Sequence, residues 1–344
     1  MSIRIRPADI VTDRHLIIDV LARFLTPLSN AARFDWLYRD SVYGKPQTWI
    51  AIDNDDDEVI GVASAFPRRW YMNNGERNGW VLGDFCVSSR HRSLGPALQL
   101  LRASIGGVSE NKEDFFYDFP SQAMMAVYKR LRVETCGRMV RFAKLLHADR
   151  KVREHSSLPI VTVGVSAVAN WVLRLHDRIP MKQGTITVDL QRDVCGEEFS
   201  RLASDVGSRY GAYIQRSATY VNWRYVRNPL AQYEILTARQ KGRLTAYAVF
   251  VQVGRDAVVA DLFGVYDENV LQSLLLSLSQ LLRGRGVQTV SVPVWEAHPW
   301  IPRLSAAGFS ARETSPVVVS SSFWDTNERE EHPAWMLMHG DRDS

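Results

Sequence analysis

The chain has 344 residues, more than one hydrophobic core ordinarily organises, so it is expected to divide into two domains. Hydrophobic residues make up 46% and charged residues 23%, the balance of an ordinary globular protein rather than a disordered one. A net charge of +4, from 42 basic and 38 acidic residues, is too mild to call for nucleic acid and suits an anionic small molecule.

The start, MSIRIRPADI, has no apolar run of the kind a secretory signal carries, and "SIRIRPA" alternates as a first strand. Residues 13–25 and 30–40 space their apolar residues as helices, with Leu16, Ile17, Val20, Leu21 and Phe24 on one face. Residues 47–66 read as a hairpin around the turn Asp53–Asp57, which lacks the glycine and terminal glutamate of a calcium loop. "GWVLGDFCV", 79–87, is a strand, and the stretch 88–103 leads into a leucine-rich helix. "DFFYDFP", 114–120, is a short strand. A helix capped by Ser121 follows, then the strand "GRMVRFAKLL", 137–146. The order is β-α-α-β-β-β-α-β-α-β.

Residues 148–182 are read as a connecting segment. Within it the run 158–173 is charge-free but shorter than a membrane span, and Pro159, Gly164 and Asn170 interrupt it. The basic residues on either side leave a membrane-surface role as the lesser alternative. From 184 a similar order returns: a strand, a helix over 195–209, strands near 232–239, 243–253 and 256–266, a helix over 268–283, a strand over 287–295 and a short helix. The expected organisation is therefore one domain over 1–147, a degenerate copy over 183–325, and a polar, loose tail over 326–344. Cys86, Cys136 and Cys195 lie far apart and form no C-x-x-C pair, which fits a reduced, cytoplasmic protein without a zinc knuckle.

The chemistry concentrates at 84–97. A strand ending at Val87, a basic loop and a helix starting near Gly95 make a phosphate cradle: amides at a helix N-terminus are unsatisfied and lie at the positive end of the dipole. Arg90 and Arg92 add charge, Gly95 allows close approach of the backbone, and Pro96 tolerates the first helical turn while removing one donor. Arg92, Ser93, Leu94, Gly95, Pro96 and Ala97 spell R-x-x-G-x-A, which resembles the acyl-CoA motif of the GNAT (GCN5-related N-acetyltransferase) superfamily, as does the element order. The resemblance implies an α/β (α+β) fold of two GNAT-like domains, each with a mixed, mostly antiparallel sheet flanked by helices. It implies acetyl-CoA or another acyl-CoA as co-substrate, held by Arg90, Arg92, Ser93, Leu94, Gly95 and Ala97 of the loop and the strand residues Phe85, Cys86 and Val87. "YKRLRV" is similar to the family's Y-x-x-x-G-[FL], with Arg132 at the glycine position, and implies Tyr128 as general acid.

Asp84, set in an apolar strand, is the candidate base; it could equally cap a turn or pair with Arg90. Asp118 is a further candidate. Cys86 reads as a small buried residue, since no histidine partner is identifiable. The second copy has "YDENVLQSLLL" where the motif would stand, with neither glycine nor arginine. Trp223, Arg224 and Tyr225, in "YVNWRYVRNP", either stack on a sugar or base ring of the acceptor or pack between the domains. Two functions remain. One is direct acyl transfer to an amine or hydroxyl of a small acceptor, possibly an amino sugar, with CoA or an acyl carrier protein as donor and no metal. The other is a non-catalytic GNAT-like binding or scaffold protein.

Overall fold

The computed structural model describes residues 2–72, 75–91, 94–109, 114–147, 186–207, 209–321 and 334–343. The connecting segment 148–182, with its charge-free run, lies outside them, as do Arg92 and Ser93 of the loop. Among the described residues no helix is long and apolar enough to cross a membrane.

The first half follows the expected order: β1 (Ile3–Pro7), α1 (Arg14–Phe24), α2 (Ala31–Phe34), β2 (Gln47–Asp53), β3 (Val59–Met72), β4 (Gly75–Val87), α3 (Leu94–Val108), β5 (Phe115–Asp118), α4 (Gln122–Arg130) and β6 (Gly137–Leu145). Asn30 caps α2 by accepting from the Arg33 amide, and Ser121 caps α4 by accepting from the Met124 amide. The second half repeats the plan with β7 (Ile186–Leu190), α5 (Glu197–Gly207), β8 (Ala212–Ile214), α6 (Ala218–Val221), β9 (Glu234–Gln240), β10 (Arg243–Val253), β11 (Asp256–Gly264), α7 (Glu268–Gly284), β12 (Thr289–Trp295), α8 (Ile301–Ala306) and β13 (Ser310–Ser321).

Among the described residues, 13 strands join one mixed, mostly antiparallel sheet, ordered β1-β2-β3-β4-β5-β13-β6-β12-β11-β10-β9-β7, with β8 beside β3. The order is a palindrome about the β13–β6 pair. The parallel pairs, β4/β5 and β11/β12, occupy matching places. Each half's last strand has crossed over: β13 lies against β5, and β6 lies against β12. The halves that chain order separates at the connecting segment therefore share a sheet.

β3 is buried on both faces. From Val62 onward its side chains alternate: Val62, Phe66, Trp70 and Met72 enter one core, Ala63 and Ala65 the other. The first of these cores is common to both halves, taking Ile17, Leu21 and Trp36 from one and Phe199, Leu202 and Trp223 from the other. α3 and α4 cover the opposite face of the first half, where Leu100, Leu101 and Tyr128 pack on Ala65, Leu82 and Val318.

The tail departs from expectation. Residues 334–343 form a strap through the middle of the molecule, with Trp335, Met336, Leu337 and Met338 each at most 2% exposed. Their backbone pairs with Ala212 and with Trp295, whose amide donates to Leu337 O at 3.0 Å. A run of four apolar residues gains more from burial between strands than the charged residues around it gain from water.

A candidate acyl-thioester cleft in the first half

The cleft arises where β4 and β5 part. They pair in parallel only from Gly79–Val81 to Phe115–Tyr117. Beyond Val81, β4 stays paired with β3 through to Val87, and among the described residues no strand lies along its other edge, Leu82–Val87. A bulge accompanies the parting, and Asp84 takes a left-handed φ of 47° there. A cavity of 390 Å³ fills the gap. Gly83, Phe85 and Val87 line one wall, Asp118, Ser121 and Met124 the other, and Leu94 and Ala97 of α3 the floor.

Several of the residues singled out in the sequence meet here. Phe85, Cys86 and Val87 present strand edge to the cavity, and open-edge amides suit an extended ligand that itself carries amides. Leu94 and Gly95 are exposed at the N-terminus of α3, Ala97 lines the cavity, and Arg90 is exposed on the preceding turn. Pro96 is buried, so the residue without an N–H turns into the protein. His91 is a structural anchor: its Nε2 lies 3.0 Å from Asp53 Oδ2 and ties the turn to the end of β2.

Three readings change. Asp84 is 2% exposed and fully engaged: Arg33 donates to its two oxygens at 2.8 and 2.5 Å, and the Tyr38 hydroxyl donates at 2.7 Å. Both carboxylate oxygens are thus taken up by buried donors, and the group braces the bulge. Its partners sit 51 and 46 positions upstream in α2 and the turn that follows, beyond the reach of local pattern.

Trp223, Arg224 and Tyr225 are buried and face the core. They sit on a π-helical turn, Asn222–Val226, matched by a second one at Asp35–Arg39. Trp36 Nε1 donates to Trp223 O at 2.8 Å, and Trp223 Nε1 to Trp36 O at 3.0 Å. The Trp223 ring stacks on Trp36 and carries the Arg68 guanidinium 5.3 Å from its centroid. Arg224 donates to the strap carbonyls of Gly340 and Arg342. No ring face is left for a sugar, because the strip packs where the two halves meet.

Tyr128 is fully buried. Its hydroxyl donates to Asp118 Oδ2 at 2.7 Å, and Asp118 rather than Tyr128 lines the cavity. Burial pushes the Asp118 carboxyl up to about 7, against the lowering effect of the Tyr128 hydrogen bond. Burial and the neighbouring Asp118 push the Tyr128 phenol well above its ordinary range. α4 ends just beyond, with Arg132 at φ 58°, which explains why glycine suits that position. Cys86 is 5% exposed, and burial followed by the charge of Asp84 pushes its thiol up to about 12.

The strap supplies a residue that sequence reasoning missed. Asp343 lines the cavity and accepts from the Asp84 amide at 3.1 Å. A Cβ at Gly83 would collide with this carboxylate, so glycine there makes room for it. Nothing in local sequence links residue 343 to residue 83.

The family whose description is "Acetyltransferase (GNAT) domain" matches residues 15–135. No functionally curated protein matches the chain in sequence. Among solved structures, the chain is similar to a GCN5-related N-acetyltransferase from Anabaena variabilis, at TM-score 0.65 and 10% identity over 93% of this chain and 73% of that one. A GCN5-related N-acetyltransferase from Kribbella flavida aligns at TM-score 0.60 and 15% identity, over 93% and 71%. Saccharomyces cerevisiae N-myristoyltransferase with bound myristoyl-CoA aligns at 0.58 and 10%, over 92% and 82%. At these identities the likeness is one of fold. Fold, cleft and family match together define an acyltransferase. Residues 15–135 match the GNAT acetyltransferase domain, a family that uses acyl-CoA.

Proposed function

We propose that the protein transfers an acyl group from acyl-CoA directly to a small-molecule acceptor, in the cleft between β4 and β5. The observation that carries this reading is the open edge Leu82–Val87, ending beside the N-terminus of α3. The edge amides of Phe85 and Val87, with Cys86 between them, would hold the amide-bearing arm of CoA. The α3 terminus at Leu94, Gly95 and Ala97, with Arg90, Arg92 and Ser93, would hold its pyrophosphate. Transfer is direct rather than through Cys86, because a thiol held near 12 yields almost no thiolate at neutral pH. The aromatic strip that suggested an amino sugar is part of the core, so the acceptor is taken simply as a small molecule.

Calorimetry with acetyl-CoA tests the reading. Wild-type protein should bind, and Gly95→Glu should weaken binding about a hundredfold or more, because a carboxylate at the helix N-terminus repels the pyrophosphate. A wild type silent at millimolar acetyl-CoA contradicts a CoA donor. Transfer from an acylated carrier protein would then be measured in its place, and its absence leaves the scaffold reading.

A further inference from the structure

A second cavity, of 460 Å³, lies where α3 and α4 run out at their far ends. Ile105, Leu131 and Val133 form its partly buried apolar floor, and the exposed Arg102, Arg130 and Arg132 stand around it. It is separate from the cleft. Arg102 is eight residues along α3 from Leu94, about 12 Å at the rise of a helix, and Arg130 is at the opposite end of α4 from Ser121. The lining holds no carboxylate, imidazole, thiol or hydroxyl, so its side chains can bind but not react.

Three features set this cavity apart from the rest of the surface. Arginines elsewhere pair with carboxylates: Arg138 with Glu296, Arg141 with Glu313, Arg239 with Glu198 and Arg285 with Glu234. Among the described residues, the guanidiniums of Arg102, Arg130 and Arg132 have no such partner, although like charges gathered together repel. The dipole of α4 favours Arg130 in its last turn, but it does not account for Arg102 in the middle of α3. Next, Arg132 holds a left-handed φ of 58°, a conformation that glycine adopts freely and arginine does not. Finally, a Cβ at Gly106, in the last turn of α3, would meet nothing within 4 Å, whereas one at Gly107 would strike the Trp49 ring. Packing explains Gly107 and leaves Gly106 unexplained, since glycine within a helix forgoes stability relative to alanine. The cavity thus has an arginine where the backbone favours glycine, and a glycine where the helix has room for a side chain. Both choices give up stability, and both keep the cavity charged and open.

We propose that this cavity binds the phosphate of a small phosphomonoester whose apolar body lies on Ile105, Leu131 and Val133. Guanidinium forks match a dianionic phosphate with paired hydrogen bonds, and three of them around one opening call for more than a single negative charge. The apolar floor distinguishes such an ester from the bare ion. The site is independent of the cleft and of the reading given to it above.

The test is calorimetric titration of the full chain with phenyl phosphate, inorganic phosphate and phenol. Phenyl phosphate should bind at millimolar concentration or below, about tenfold tighter than inorganic phosphate, with phenol silent. Arg132→Gly removes one guanidinium and Gly106→Leu fills the cavity. Each should weaken phenyl phosphate about tenfold or more while the unfolding midpoint stays at or above that of the wild type, so that lost binding is not lost fold. The same titration in Gly95→Glu separates phosphate held here from phosphate held at the N-terminus of α3, and binding should persist in that variant. Silence at millimolar phenyl phosphate overturns the proposal, as does binding kept in Arg132→Gly and lost in Gly95→Glu. Sedimentation with vesicles containing phosphatidic acid, without binding of phenyl phosphate, would assign the arginines to a membrane surface and overturns it equally.

Discussion

The two halves of this chain build the same cleft and use it differently. In the first, β4 and β5 part after Val81 and Tyr117, and the gap is a cavity. In the second, β11 and β12 part after Val258 and Ser291, and the strap occupies the gap: Met338 bridges to Val294, and its side chain packs with Leu262 and Val292. Gly340 passes so close to Ala260 O and the Tyr225 hydroxyl that only a residue without a Cβ fits. The electrostatics differ as well. Arg33 bonds Asp84, whereas Arg216, fully buried, bonds Asp341 of the strap at 2.8 and 2.9 Å and Asp261 at 3.3 Å. A parted parallel pair thus leaves a gap, which stays a cavity in the first half and is filled by the protein's own chain in the second.

That contrast can be broken from the plugged side first. Asp341→Ala removes the main partner of a buried guanidinium and should cost about 3–5 kcal/mol, measured as a drop in unfolding free energy by urea titration. The account expects no second acetyl-CoA site in this variant, because the second cleft also lacks the glycine and arginines of the first. On the open side, Gly95→Glu should cost about 2.7 kcal/mol of acetyl-CoA binding, the hundredfold given above, with an unfolding midpoint close to wild type.

Acid should attack the plugged side. Burial lowers His339 to about 4 and His298 to about 3, so the unfolded chain takes up protons below about 6.5 that the folded chain refuses. Stability contributed by these groups is present above that pH and is lost as pH falls towards 4. Denaturant midpoints across pH 7 to 4 should show the decline, and His339→Gln should make it shallower.

The smallest effect sharpens the open side. Arg132→Gly relieves a left-handed arginine at the end of the helix that carries Tyr128, and should stabilise by at most about 1 kcal/mol. Thermal unfolding measures it, with acetyl-CoA affinity unchanged.

Legibility follows the range of the interactions. The element order was readable because period-2 and helical patterns, Ser121 and the R-x-x-G-x-A spacing are local. The hairpin extension through Arg68 and Trp70, the crossing of β13 to β5, and the strap were not, since each is settled by partners far away in sequence. The same holds for roles: Asp84 is engaged by Arg33, 51 positions away, and the Tyr128 hydroxyl is engaged by Asp118, neither of which local pattern specifies.

The most direct measurement is the number of acetyl-CoA molecules bound per chain, by calorimetry on the wild-type protein. The account predicts one, lost in Gly95→Glu. Two sites per chain, or one site indifferent to Gly95→Glu, would contradict the assignment of the open and the filled cleft.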